Sequence, residues 1–400
     1  MLKFSSASVR IVNSERAMAE CLDIAFPDGP PKEAAVFIIN SALGHKLDKL
    51  GAAIKKLSPQ AVTLGCSASG VIGREGVGES MSDVALMAIT GPPNEWGVAG
   101  VQDIYGHNAY EKGLELAKGL KAKIASPRAI YLLCPGIDIA NDLVLKALIE
   151  TFGEDINIFG GTSSDNMRGL INYQLYEGQF GEHIAWAVAL GDPTLKAVTR
   201  ATHGFTAYGQ PLTVTKAEGH LIREFDGRPA WAEYASRLSL PATSLCGDTI
   251  PVGALAEKLP DDLAVEYGNP HILRVITKYD PDGTVYYPVL AKAGLEVWLT
   301  SRDEELIFSE QRRSLEWICA QMNGRKPVAV FQTDCLARGR FLFNKVVKDE
   351  IIAMMHSYLN DENGQTPPWL GMYGFGEYAK LGGRNVYHNY STALLTLYRD

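Results

Sequence analysis

The chain has 400 residues, 46 acidic and 38 basic, for a formal net charge of −8. Hydrophobic residues make up 46% and charged residues 21%. That balance excludes a disordered chain and leaves room for two or three domains with a sizeable core. The acidic surplus disfavours nucleic-acid binding, which begins with a basic surface.

In chain order, the apolar run Val36–Ile39 predicts a strand buried on both faces. A helical stripe follows through Leu43, Leu47, Leu50 and Ile54. Ala61–Leu64 and Asp83–Ile89 read as strands, Ala109–Leu120 as a helix, Ala129–Leu133 as a strand, Asp142–Phe152 as a helix and Ile156–Phe159 as a strand. The pattern then shifts to strand-like runs with Gly-containing turns: Leu170–Tyr176, Ile184–Leu190, Ala197–Thr202 and Thr213–Ala217. A short helix over Arg228–Leu238 leads into residues 239–269, which lack periodicity and read as connecting structure. Strands His271–Lys278 and Glu296–Thr300 precede helix Asp303–Met322, strand Val328–Phe331 and a helix over Ala337–Leu359. Strands Trp369–Tyr373 and Val386–Tyr398 flank a Gly-rich loop at the end. A mixed α/β fold with two subdomains is the economical architecture.

No membrane span is expected, because the longest apolar runs, Ala34–Ile39 and Ile184–Leu190, are far too short. The first 18 residues lack the apolar core of a signal peptide. Six cysteines without a C-x-x-C pair fit a reduced, cytoplasmic protein. No solenoid period is visible. One local theme does recur: a short apolar strand runs into Gly and small polar residues at Leu64–Gly70, Phe159–Asp165 and Leu370–Glu377. Ligands of open α/β sheets bind beyond strand ends, and glycine there permits close approach. Tight turns explain the same composition.

No nucleophile elbow, phosphate loop, zinc-protease or EF-hand motif is present, and Gly374-Phe375-Gly376-Glu377 lacks the third Gly of a dinucleotide loop. No enzyme is expected. Of the eight histidines, His203 lies at a strand end before Gly204-Phe205, and His388 lies in an aromatic strand. A neutral imidazole at either place has the chemistry of a haem ligand, whereas a surface or hydrogen-bonded role is the plainer reading. Cys134-Pro135 reads as a strand end before a turn. Asp165, Asp334, Arg338 and Glu377 are polar groups near strand ends, suited to a small polar ligand or to caps and ion pairs.

The ordered motifs Gly65-Cys66-Ser67-Ala68-Ser69-Gly70, Phe159–Asp165, Val214-Thr215 through Phe225-Asp226-Gly227-Arg228-Pro229-Ala230, Cys335-Leu336-Ala337-Arg338, Gly374–Glu377 and His388-Asn389-Tyr390-Ser391-Thr392 resemble those of the FIST-domain proteins, bacterial sensory modules. The resemblance covers nearly the whole chain. Phe225 and Tyr378 stand where aliphatic residues are usual. It implies a FIST N-terminal domain over 30–228 and a FIST C-terminal domain over 229–380, with 381–400 completing its last strand. It also implies a ligand cleft at the Gly-rich strand ends and a signal-transduction role. Chains of this size in the family include the haem-binding, nitric-oxide-sensing NosP group. That likeness implies haem b, with His203 as the first axial candidate on the iron and His388 as the second. Its implied partners are a sensor histidine kinase or a cyclic-di-GMP enzyme, with a homodimer left open. The alternative is a non-haem module in which Ser67, Ser163, Asp165, Arg338 and Glu377 converge on an amino-acid-like ligand.

Overall fold

The computed structural model describes residues 1–165, 169–339 and 344–399. Among the described residues the chain builds three six-stranded sheets and a fourth, eight-stranded one. The three six-stranded sheets share one topology. Each derives four strands from one stretch of chain, in the order first, last, second, third, and a hairpin from elsewhere completes the edge.

The first stretch runs strand Lys3–Arg10, helix Ser14–Ala25, strand Ala35–Ala42, helix Leu47–Leu57, strand Ala61–Ala68, hairpin Val71–Gly73/Gly76–Gly78 and strand Asp83–Thr90. The second repeats it: Trp96–Val101, helix Ala109–Lys121, Ala129–Cys134, helix Asn141–Phe152, Asn157–Thr162, hairpin Gln174–Tyr176/Gln179–Gly181 and Ala185–Leu190. The third runs Leu195–Thr202, helix Glu304–Met322, Pro327–Cys335, helix Lys345–Leu359, Trp369–Gly374, hairpin Gly376–Leu381/Arg384–His388 and Thr392–Arg399. In each unit the second and third strands are parallel, joined by a helical crossover, and the outer pairings are antiparallel.

No unit keeps its own hairpin. The first unit's hairpin pairs with the third unit's strand Trp369–Gly374, the second's with Ala61–Ala68, and the third's with Asn157–Thr162. The exchange closes a ring.

The inner faces of the three sheets make one core. Phe4, Tyr131 and Phe331 come one from each sheet, with Tyr131–Phe331 centroids 5.2 Å apart and Phe4–Phe331 6.5 Å. Leu64, Trp186 and Leu395 join the same cluster. The outer faces carry the helices. Met18 and Leu22 pack on Phe37 and Ile39, Leu116 and Val144 on Ile130 and Ile158, and Leu315 and Ile351 on Val330 and Leu394. Both faces being covered explains the continuous apolar strands.

Helix starts follow local chemistry. Asn13, Asp303 and Asn344 accept from Arg16 N, Leu306 N and Val347 N at 3.0, 2.9 and 3.1 Å. The fourth sheet, spanning Phe205 to Arg302 in sequence, is inserted between the first strand and first helix of the third unit.

Several expectations change. The helix expected from Ala337 starts at Lys345, because Leu336–Arg338 forms a 3-10 turn ending at Gly339; its residues 340–343 lie outside the described residues. The expected strand Val386–Tyr398 is two strands in different sheets, broken at Tyr390, whose φ is 55°. The expected Gly-rich loop before it is a sheet-to-sheet crossing that becomes strand Gly376–Leu381. Residues 239–269 contain strand Leu255–Lys258 and helix Asp261–Tyr267. The N-terminal strand and helix, and the strand Trp96–Val101, were not foreseen.

Candidate functional site

The three Gly-rich strand ends meet. They are the same point in the three units, the end of the third strand before the hairpin departs. One glycine recurs there: the hairpin residues Ile72, Leu175 and Glu377 lie opposite Gly371, Gly65 and Gly161. A side chain has no room at this position; a Cβ on Gly161 would lie 2.5 Å from Thr333 Cγ2.

Around this centre the first and second strand ends are stitched by hydrogen bonds. Ser67 Oγ donates to Ser164 O at 2.8 Å and accepts from Tyr173 N at 2.8 Å. Ser164 Oγ donates to Tyr373 O at 2.7 Å and accepts from Ser69 N at 2.9 Å. Ser163 Oγ donates to Asn172 Oδ1 at 2.7 Å and accepts from Gln174 Nε2 at 2.6 Å. The Asp165 carboxylate accepts from the backbone of Gly169, Leu170 and Ile171. Ser67, Ser163 and Asp165 are therefore brought together, but their polar atoms are engaged in holding the strand ends.

The third unit differs. Asp334, Arg338, Glu377 and His388 are all buried. Arg338 Nη1 donates to the His203 carbonyl at 3.0 Å, while Nε and Nη2 have no partner. Glu377 Oε2 accepts from Ser391 Oγ at 2.7 Å and Ser391 N at 3.2 Å, while Oε1 has none. His388 Nδ1 meets Tyr267 OH at 3.3 Å and its Nε2 is free; Thr333 Oγ1 and Asn389 Oδ1 are also unpartnered. Buried polar atoms are nearly always paired, so such a concentration marks a place built for something else. Asp334 and Glu377 act on Arg338 through charge.

Register shows how unusual these residues are for the fold. Strand partners equate Asn40, Cys134 and Thr333, beside Cys66, Thr162 and Met372. Counting on, Asp334 corresponds to Ser41 and Pro135, and Arg338 to His45 and Ile139. On the hairpins, Ile72 faces Val77 and Leu175 faces Phe180, where the third unit pairs Glu377 with His388. The fold is satisfied twice without these charges.

Burial sets the protonation states. It pushes the Glu377 carboxyl well above the usual range, against the Ser391 hydrogen bonds. It also raises Asp334, where Arg338 and the Gln332 amide (Nε2 to Oδ1, 2.9 Å) pull the other way. Burial lowers His388 to about 3 and His203 to about 4, so both rings are neutral.

The two histidines are differently placed for iron. His203 Nε2 donates to the His271 carbonyl at 3.0 Å and Nδ1 accepts from Phe205 N at 2.9 Å. With both nitrogens engaged, His203 does not fit the axial role expected of it; its observed work is to fix the turn whose carbonyl holds Arg338. His388 keeps one nitrogen free on a wholly buried ring. The sequence marks Asp334, Arg338 and Glu377 as polar groups near strand ends but gives Thr333 and Asn389 no site role; Thr333 lies near the end of parallel strand Pro327–Cys335, and Asn389 just beyond hairpin strand Arg384–His388.

The FIST N domain profile matches residues 34–228 and the FIST C domain profile residues 230–380. Uncharacterized protein Mb0898c of Mycobacterium bovis is 26% identical over 212 residues, 52% of each chain, so this chain spans about half the length of that relative. Uncharacterized protein MT0656 of Mycobacterium tuberculosis is 24% identical over 378 residues, covering 93% of this chain and 92% of its own. Among solved structures, PurLQS from Thermotoga maritima aligns at a TM-score of 0.21 and 8% identity, over 100% of this chain and 72% of that one, too low to carry an argument. No helix among the described residues is long and apolar enough to cross a membrane. With consecutive N and C domain matches across most of its length, the chain belongs to the FIST family, sensory and ligand-binding domains of signal transduction.

Proposed function

We propose that this chain senses a small carboxylate-bearing, amino-acid-like molecule at Arg338 and reports its occupancy to a signalling partner, a histidine kinase or a cyclic-di-GMP enzyme. The observation that carries this reading is the unpartnered Nε and Nη2 of a buried guanidinium. Those two donors form the edge that grips a carboxylate bidentately. Glu377 Oε1 and Asn389 Oδ1 are unpartnered as well and would take the amino group of such a ligand. The site is closed in this conformation, so binding requires a local opening. The expected result is that at least one of the common amino acids raises the thermal midpoint, by the equivalent of about 2.7 kcal/mol at a hundredfold excess over Kd. Arg338→Lys, which keeps charge but loses the planar fork, should abolish the rise. No response to any amino acid would end this reading.

A haem-based nitric oxide sensor is the second reading, favoured by the free Nε2 on a neutral His388. It would need the pocket around His388 to open far enough for haem b. Mixing the protein with haem and recording the Soret band before and after nitric oxide tests it. No band, or a band unchanged in His388→Ala, removes it.

A further inference from the structure

We propose that residues 259–270 form the lid of the buried Arg338, Glu377 and His388 cluster, with Tyr267 as its latch. The inference rests on the reading of that cluster as a binding site and says where it opens. Strands Leu255–Lys258 and His271–Arg274 pair side by side, Lys258 opposite His271, and Leu259 N donates to Pro270 O at 2.9 Å. The stretch between them therefore leaves the sheet and returns to it at one neck. It holds a short helix, Asp261–Tyr267, bounded by Pro260 on one side and by Gly268 and Pro270 on the other. Gly268 has a φ of 76°, and a Cβ there would run into the Arg313 guanidinium. A segment joined at one neck, with its turns concentrated at its two ends, is built to move as a piece.

The helix lies against the cluster. The Tyr267 hydroxyl meets His388 Nδ1 at 3.3 Å, and its ring lies 5.6 Å from the His388 ring and 5.3 Å from that of His203. His388 is the cross-strand partner of Glu377, and the His203 carbonyl accepts from Arg338 at 3.0 Å. One side chain of the lid thus touches both supports of the cluster. Leu263 lies against Gly382, at the turn of the hairpin that carries Glu377, and Gly382 N donates to Glu266 Oε1 at 2.9 Å.

This cover is lightly held. Tyr267 is buried, whereas Asp261, Asp262 and Glu266 are exposed and Val265 is 84% exposed. Two guanidiniums strap the last turn: Arg200 Nη2 donates to Glu266 O at 2.9 Å and Arg313 Nη2 to Tyr267 O at 3.0 Å. Lifting the helix gives up few apolar contacts and several polar bonds that water replaces, which is the profile of a segment that opens locally. Nor does the fold need it. The lid belongs to the insertion between the first strand and first helix of the third unit, where the first two units bridge the same elements with residues 11–13 and 102–108. The unit that holds the unpartnered Arg338, Glu377 and His388 atoms is the unit that carries the cover.

The test needs no ligand. Diethyl pyrocarbonate modifies accessible imidazoles, and peptide mass mapping gives the rate at each histidine of the full chain. His388 should react slowly in wild type, since it is wholly buried. Tyr267→Ala and Arg313→Ala should each raise its rate by about tenfold or more, and that of His203 with it. His356, which packs on Trp369 from helix Lys345–Leu359, should keep its rate. An unchanged His388 rate overturns the lid, and so does a rise shared by His356, which would mean general loosening. Should neither variant fold, hydrogen exchange of wild type decides. The hydrogen-bonded amides of Ala264 and Gly268 should exchange faster than those of the two strands at the neck, and equal protection overturns the proposal. Both readouts are taken without an amino acid. The lid therefore fails here and the Arg338 reading fails in the thermal shift above, each on its own.

Discussion

The first two units and the third solve the same packing problem with different residues. At the closing end of the first unit, Ile72 faces Val77, and at that of the second, Leu175 faces Phe180. The third unit puts Glu377 opposite His388 at the equivalent register and adds Asp334 and Arg338 beside them. The serines and Asp165 at the other strand ends have their hydrogen bonds made; Arg338, Glu377 and His388 do not. Repeated architecture thus supplies an internal control. What all three ends share is structure, and what one end has alone, against the grain of stability, is the candidate for function.

The largest effect should come from erasing that difference. Replacing Asp334 by Ser, Arg338 by Ile and Glu377 by Leu installs the residues of the other units. Buried charges are often less stabilising than well-packed apolar groups, so the triple variant should fold and gain about 2–4 kcal/mol in urea unfolding, while losing all response to amino acids. A loss of stability instead would make the charges structural.

His388 gives the next effect. Its folded pKa, about 3, lies below the ordinary 6.5. A depressed pKa means its stabilisation is present above pH 6.5 and is lost as pH falls toward the folded value. Between pH 6.5 and about 4.5 it should account for roughly 2–3 kcal/mol of lost stability. His388→Phe, the counterpart residue from Phe180, should flatten that part of the pH–stability curve. An unchanged acid slope would show that the ring is solvated.

The smallest effect tests the shared end. Ser164→Ala removes the donor to Tyr373 O and the acceptor for Ser69 N, and should cost about 1–2 kcal/mol without changing ligand selectivity. A shift in selectivity would mean that the stitched end belongs to the site as well.

Much of this was legible beforehand. The buried parallel strands declare themselves as apolar runs, and the Gly-rich strand ends were visible as a theme repeated three times. The threefold architecture behind that theme was not, because the units share little beyond a glycine, differ in hairpin length, and the third is split by residues 205–302. Arg338 and Glu377 stood out as polar residues near strand ends. Asp165 is held by Gly169, Leu170 and Ile171 close by, whereas the saturation of His203 and the setting of Arg338 depend on neighbours far away in sequence, His271 for His203 and His203 for Arg338. Pairings at such distances carry no periodic signal.

The exchange of hairpins has a consequence for how the chain is made. On the ribosome the first sheet can be completed once Gly181 has emerged. The second, whose own strands end at Leu190, waits for the hairpin that ends at His388. For most of synthesis the strand Asn157–Thr162 is an unguarded edge, of the kind that invites pairing with a neighbouring chain. The candidate sensing residue Glu377 sits on the very strand that covers it. Hairpin Gly376–His388 therefore both completes the second sheet and carries a residue of the candidate site, so a chain cut before it should be neither a stable fold nor a false signal.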